Sequence, residues 1–221
     1  MKSLLSGCAF FLAAVGSQGA QAASITYSAS ISSTNPDWSS SLSISQFDPT
    51  LGTLTGIQFD LTGTITGTIY VENTDASAAT ISETLSASLT LTRPDSSVIV
   101  VALPGTTVTD LFSPFDGTVD FGGTSGAIHG PITTSATVSF ISPPPASDLA
   151  LFTGTGFIAL PVMAVGTSFI TGPGNLAGGF ATSAGASLVV TYIYDEVPEP
   201  ASLLLLGGGL VAAGWRRRKA A

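Results

Sequence analysis

Between Ser24 and Tyr194 the chain alternates apolar and polar residues with a period of two. The alternation runs through Ile25, Tyr27, Ala29 and Ile31; Ile57, Phe59 and Leu61; Ile81, Glu83, Leu85, Ala87, Leu89 and Leu91; Ala136, Val138 and Phe140; and Leu188, Val190, Tyr192 and Tyr194. A strand sends successive side chains to opposite faces, so each run has one face to bury. Clusters of turn formers punctuate the runs: Asn35-Pro36-Asp37, Asp48-Pro49, Arg93-Pro94-Asp95, Phe115-Asp116-Gly117, Pro143-Pro144-Pro145 and Gly172-Pro173-Gly174-Asn175. Short strands with turns at this density predict an all-β fold, an antiparallel β-sandwich of jelly-roll-like type. No segment between them shows a helical period. The polar faces are mostly Ser and Thr, which suit extended backbone and hydrate without charge. Twelve Phe, with Ile, Leu and Val in alternating positions, supply enough apolar surface for a core and argue against disorder. Leu51–Gly56, Leu61–Thr68 and Phe152–Gly156 resemble one another but share no fixed period, which reads as biased composition on adjacent strands and not as a solenoid.

Charge divides the chain differently. Of six basic residues, Lys2, Arg216, Arg217, Arg218 and Lys219 sit at the extreme ends, and only Arg93 lies between; all fourteen acids fall between Asp37 and Glu199. The net charge of -8 disfavours nucleic-acid binding, which depends on neutralising phosphates. Each basic end adjoins an apolar run, the layout of two targeting segments around an exported domain. At the N-terminus, Lys2, the apolar stretch Leu4 to Val15 and Ala20-Gln21-Ala22 form a secretory signal peptide over residues 1–22. Cleavage is expected after Ala22, with Ala23 as the alternative, by signal peptidase after passage through the secretion machinery. Leu5-Ser6-Gly7-Cys8 has the order of a lipoprotein acylation site, but the apolar run follows Cys8 where it should precede it. Cys8 leaves with the signal, so the exported domain of residues 23–194 has neither a disulfide nor a thiol nucleophile.

Residues 195–221 form the second targeting segment. Ala201 to Trp215 would extend about 22 Å as a helix against a hydrocarbon core of about 30 Å, a short transmembrane span with Trp215 at its interface. Arg216, Arg217, Arg218 and Lys219 hold the end cytoplasmic by the positive-inside rule, leaving everything before Val197 outside. The order Val197-Pro198-Glu199-Pro200, short apolar helix, arginine-rich terminus closely resembles the PEP-CTERM sorting signal of Gram-negative bacteria. That resemblance implies an inner-membrane-anchored intermediate processed near the motif by an exosortase and then passed to the cell surface or the extracellular matrix. Two prolines keep the backbone extended beside the membrane, where a processing enzyme needs an unfolded strand.

Four groups of residues resemble the choice-of-anchor E domain, an exported bacterial domain found with different C-terminal anchors. They are Ser45 to Leu54; Val71-Glu72-Asn73; Phe115-Asp116-Gly117 with Asp120 to Gly126; and Asp148 to Gly156. The resemblance implies surface display and brings no catalytic residue with it.

Chemistry-bearing residues are few. His129 is the single histidine, so a zinc site would need carboxylates beside it and a Ser-His-Asp relay would have no other imidazole. Gly130 and Pro131 after it predict a turn and a solvated loop histidine. Asp110, Asp116 and Asp120 are close enough in sequence to furnish an acid pair for a glycosidase, though turn-forming aspartates account for them. No cofactor is implied; the one metal these three, or Asp48 and Asp37, would suit as oxygen donors is Ca²⁺, and neither an EF-hand nor an aspartate repeat is present. Trp38 and Tyr27 could stack on sugar rings. The expectation is a non-enzymatic exported sandwich, catalytic residues none; the alternative is a carbohydrate-binding module for an exopolysaccharide.

Overall fold

The computed structural model describes residues 22–142 and 146–197, and it is built almost wholly of antiparallel strands. In chain order these are β1 (Ala22–Thr34), β2 (Trp38–Ser45), β3 (Gly52–Asn73), β4 (Ala79–Thr92), β5 (Val98–Ala102), β6 (Gly105–Phe112), β7 (Gly126–Ser142), β8 (Phe157–Gly166), β9 (Phe169–Thr171) and β10 (Leu176–Glu196), with one helix, α1 (Ala146–Phe152), between β7 and β8. One sheet has the order β1-β10-β3-β7; the other has β2-β8-β4-β5, with β6 and β9 flanking the first half of β4. The axis of the second sheet is therefore β4, whose two halves have different neighbours. Leu89 pairs with Ala102 of β5 and Ala164 of β8, whereas Glu83 pairs with Val108 of β6 and Ile170 of β9. The edges break at Leu103-Pro104 and at Thr167-Ser168. At the second break the Ser168 hydroxyl accepts from the Ser86 N–H at 3.0 Å and donates to the Ser86 carbonyl at 3.1 Å, replacing the missing ladder bonds.

The period-two runs bury the faces they should. Ile57, Phe59, Leu61, Ile65 and Ile69 of β3 meet Leu85, Leu89 and Leu91 of β4, Leu160 and Val162 of β8, and Leu188, Val190 and Tyr192 of β10 in one core between the sheets. The Gly-Thr-rich stretch from Leu61 to Thr68 is a single strand of this kind. Its inward positions alternate Leu61, Gly63, Ile65, Gly67, and its outward positions are threonines. The opposite sheet crowds these glycines: a Cβ on Gly63 would lie 2.7 Å from Leu89 Cδ1, and one on Gly67 would lie 2.8 Å from Leu85 Cδ1, so a side chain at either position would have to displace a leucine. Outward hydroxyls pair across strands, Thr62 with Thr137 at 2.7 Å, Thr64 with Ser135 at 2.8 Å and Thr66 with Thr133 at 2.9 Å, and on the other sheet Thr84 with Thr107 at 2.8 Å.

Helix α1 is a departure from the sequence reading. Seven residues make two turns, too few for a 3.6-residue apolar period to show. Tertiary contacts hold it: Asp148 in its first turn binds Arg93 and Ser142, and Phe152 at its end is fully buried.

Candidate functional site

Glu83, Asp110 and His129 converge between the two sheets. Each offers a ligand atom within 4.8 Å of the others, the one such group of three among the described residues. Glu83 comes from the centre of the second sheet, Asp110 from strand β6 beside it, and His129 from β7, the edge of the first sheet. Glu83 stands in the apolar phase of β4 between Ile81 and Leu85 and is fully buried, yet neither of its carboxylate oxygens has a hydrogen-bond partner. His129 Nε2 lies 2.8 Å from Asp110 Oδ2 and 3.8 Å from Glu83 Oε2. The shorter contact is close but off-line, so Nε2 and Oδ2 do not satisfy each other as donor and acceptor. Burial pushes the Glu83 carboxyl above its usual range; His129 opposes that shift and Asp110 adds to it. His129 and Asp110 retain partial exposure, 23% and 38% of their side chains, although the atoms with which they meet, Nε2 and Oδ2, are buried like the Glu83 carboxylate.

The placement of His129 corrects the expected loop. It lies inside β7, and Gly130-Pro131 makes a bulge: Gly67 pairs with Ile132 and Ile69 with His129, so two residues oppose Thr68 alone. The edge position explains why a proline is tolerated there. Gly130 adopts φ +133°, and a Cβ on it would meet the Gly67 carbonyl at 2.8 Å, so the bulge requires glycine. From Ile132 onward the even-numbered residues face inward; the extra residue reverses the phase and brings His129 inward instead.

The other singled-out residues go elsewhere. Asp116 and Asp120 do not join Asp110. They accept from the backbone N–H groups of Thr118 and Gly122, each two residues on, at 3.0 Å, as turn-forming aspartates do. Asp48 accepts from the Thr50 N–H at 2.9 Å, and Asp37 from the Gly166 N–H at 2.8 Å. Arg93 grips Asp148 with two bonds, Nε to Oδ1 at 2.8 Å and Nη2 to Oδ2 at 2.7 Å, and its hydrogen bonds hold the Asp148 carboxyl below the usual carboxylate range. Trp38 donates its indole N–H to the Ala184 carbonyl at 3.0 Å and packs on the core with Tyr27, whose ring meets Tyr192 edge-on at 5.9 Å.

The four segments Ser45 to Leu54, Val71 to Asn73, Phe115 to Gly126 and Asp148 to Gly156 meet in two pairs. At one end of the sandwich, Gln46 and Phe47 bind the segment from Leu151 to Gly156: Gln46 N–H to Gly156 O at 3.0 Å, Phe47 N–H to Phe152 O at 2.8 Å, Gly154 N–H to Phe47 O at 2.9 Å, and the Gln46 amide to Leu151 O at 2.9 Å. Phe47 and Phe152 are fully buried beneath. In the other pair, the Asn73 amide donates to the Ser77 and Ser113 carbonyls, and Ser125 donates its hydroxyl to buried Glu72 at 2.5 Å. The loop from Ser113 to Ser125 is thereby fastened over the end of β3.

Both chain ends of the described domain leave from the same end of the first sheet. Ala22 pairs with Asp195 and Ala23 with Tyr194, so cleavage after Ala22 would leave β1 beginning at its second residue. On the other side of β10, Glu196 pairs with Gly52, and the exposed Val197 donates its N–H to the Leu51 carbonyl at 3.4 Å. Ala20, Pro198, Glu199, Pro200 and the basic residues Arg216 to Lys219 lie outside the described residues. Among the described residues no helix is long and apolar enough to cross a membrane; the span read at residues 201–215 is outside them.

No curated protein matches the chain. Among solved structures it is similar to the infectious bursal disease virus VP2 subviral particle, at 12% identity and TM-score 0.20 over 82% of this chain and 38% of that one. A Gx strain structure of the same virus gives 14% identity and TM-score 0.18 over 80% and 38%. The chain thus spans well under half of those proteins, at a likeness that carries no inference. Residues 196–219 match the family model of the PEP-CTERM protein-sorting motif. The match begins at the last residue of β10, with no linker between folded domain and signal. The chain is an exported protein, directed to the cell surface through a membrane-anchored intermediate and sorted by an exosortase.

Proposed function

We propose that the domain is a non-enzymatic display module, a choice-of-anchor E type sandwich carried by a Gram-negative bacterium to its surface or extracellular matrix. The observation that carries this reading is the junction at Glu196, where the sorting motif follows directly on the central strand of a sheet. Processing near Val197-Pro198-Glu199-Pro200 leaves the sandwich whole, and both terminal cuts fall at one end of it. Asp48, Asp116 and Asp120 are spent on turns, Asp37 on the Gly166 N–H, and Arg93 on Asp148. The meeting of the four family-like segments in two pairs supports the choice-of-anchor reading, since each segment then has a structural task.

The outward faces favour a polysaccharide as the partner. Rows of paired hydroxyls without charge, as along Thr62, Thr64 and Thr66, suit a hydrated polyhydroxyl polymer. A glycan array checks this. Because Trp38 is bound to the core, binding should survive Trp38→Phe, and failure to retain any matrix polysaccharide removes the carbohydrate reading alone. The display reading is tested by intact-mass measurement on protein from the native host. The expected species starts at Ala23 and ends near Glu199; a cytoplasmic species retaining Arg216 to Lys219 refutes it.

A further inference from the structure

We propose that Glu83, Asp110 and His129 bind a divalent transition-metal ion of the Zn²⁺ class, which clips the two sheets together at their β6–β7 edge. Three independent features converge on this. Glu83 is a fully buried carboxylate with both oxygens unpartnered, and it faces the imidazole of His129 at 3.8 Å. An isolated buried carboxylate is costly, and such groups are found paired or bound to metals. Next, the contact of Nε2 with Asp110 Oδ2 is off-line, so the two atoms crowd one space without completing a hydrogen bond. Their 2.8 Å and 3.8 Å separations bracket the roughly 3.3 Å between ligand atoms around a tetrahedral ion with bonds of about 2.0 to 2.1 Å. Finally, a bulge that admits only glycine turns His129 inward against the phase of its own strand.

The donor set selects the ion. One imidazole nitrogen with two carboxylate oxygens suits Zn²⁺ and its neighbours, whereas Ca²⁺ and Mg²⁺ prefer oxygen ligands alone. Three protein ligands leave a position for water on the side where His129 and Asp110 reach solvent. The ligands divide between the sheets, two from the second and one from the first. An ion among them would tie edges that hydrogen bonds do not join, in a domain whose exported part has no cysteine to form a disulfide. Binding to the folded state alone raises stability by mass action.

The test uses the purified protein, stripped with chelator, with Zn²⁺ and Co²⁺ as probes. One equivalent of Zn²⁺ should bind, raising the melting temperature by about 5 to 10 °C at a hundredfold excess over Kd. Co²⁺ should give the visible bands of a four-coordinate site. His129→Ala, at the partly exposed rim, and Glu83→Gln should each weaken Zn²⁺ binding at least tenfold and abolish the thermal shift, with folding checked by circular dichroism. Asp116→Asn should change neither. The proposal is overturned if the stripped protein takes up no Zn²⁺ at micromolar concentration, if a folded His129→Ala binds as tightly as the parent, or if Ca²⁺ binds in preference.

Discussion

Replacing Arg93 with methionine tests how helix α1 is held. Arg93 is the one base between the two end segments. Its side chain is 17% exposed, that of Asp148 is 6% exposed, and Ser142 is the other side-chain donor to that carboxylate, at 2.8 Å. Methionine fills much of the same volume but leaves Asp148 buried with its charge uncompensated. Breaking a buried pair from one side costs about 3 to 5 kcal/mol, and partial exposure of Arg93 places the loss near the lower end, about 3 kcal/mol. For a domain of this size that is a fall of roughly 6 to 12 °C in Tm. Urea unfolding at pH 7 measures it directly. The sign of the pH dependence follows from the lowered Asp148 value: the stabilisation is present above the unfolded aspartate value of 3.8 and is lost as pH falls through the lower folded one. The gap between parent and Arg93→Met should therefore narrow in acid. Arg93→Met combined with Asp148→Leu should recover part of the loss, because replacing both partners removes the stranded charge. A loss below about 1 kcal/mol at pH 7, or a gap that does not narrow below pH 3.8, would refute the assignment of Arg93 as the partner that makes Asp148 tolerable in the core.

Gly63→Val should destabilise the sandwich by about 1 to 3 kcal/mol through collision with Leu89, measured by thermal unfolding, and Leu89→Ala in the same chain should restore part of it. Tyr192→Phe removes the bond from the phenol to the Ser45 carbonyl at 2.8 Å and should cost about 1 kcal/mol in urea. Burial raises the Tyr192 phenol above its usual 10.0, so its contribution persists below pH 10 and is lost on raising the pH further, which an ultraviolet titration of tyrosine ionisation would follow. Deleting Pro131 leaves Gly130 alone opposite Thr68, so β7 becomes regular with His129 still paired to Ile69 and facing inward. The Zn²⁺-dependent thermal shift should be kept, and its loss in a variant with unchanged β-sheet circular dichroism would refute this account of the histidine's phase.

Much of the fold was legible because a buried strand leaves its phase in the sequence. The runs ending at Leu61, Leu91, Phe140 and Tyr194 lie in β3, β4, β7 and β10, and Asn35-Pro36-Asp37 and Gly172 to Asn175 fall between strands. What alternation cannot express is partnership. That β4 changes neighbours halfway depends on Pro104 and Ser168, single residues whose effect is felt only when another strand is alongside. The glycines of the stretch from Leu61 to Thr68 have a local origin in β3, where small and large inward residues alternate to receive leucines from the facing sheet, whereas Phe152 to Gly156 runs from the end of α1 to β8 and shares only composition with it. The helix left no periodic trace because tertiary bonds to Asp148 stand in for an apolar stripe.

The candidate site divides along the same line. Glu83 was visible in principle: an ionisable residue in phase with Ile81, Leu85, Ala87 and Leu89 is a charge aimed at a core, and it demands a partner. Its partner was not visible, because His129 has the wrong phase for its strand until the bulge is counted, and Gly130-Pro131 reads in sequence as a turn that would carry the histidine out to solvent. Asp110 was singled out for its nearness to Asp116 and Asp120, yet a strand end separates them: Asp110 remains in β6, facing inward, while the other two enter the loop beyond Phe112 and are consumed by its turns. Sequence proximity thus grouped the wrong acids. The arrangement that matters joins residues 27 and 46 positions from Glu83 in the chain through sheet register, and its phase can be read only once a single extra residue at the edge of the first sheet is counted.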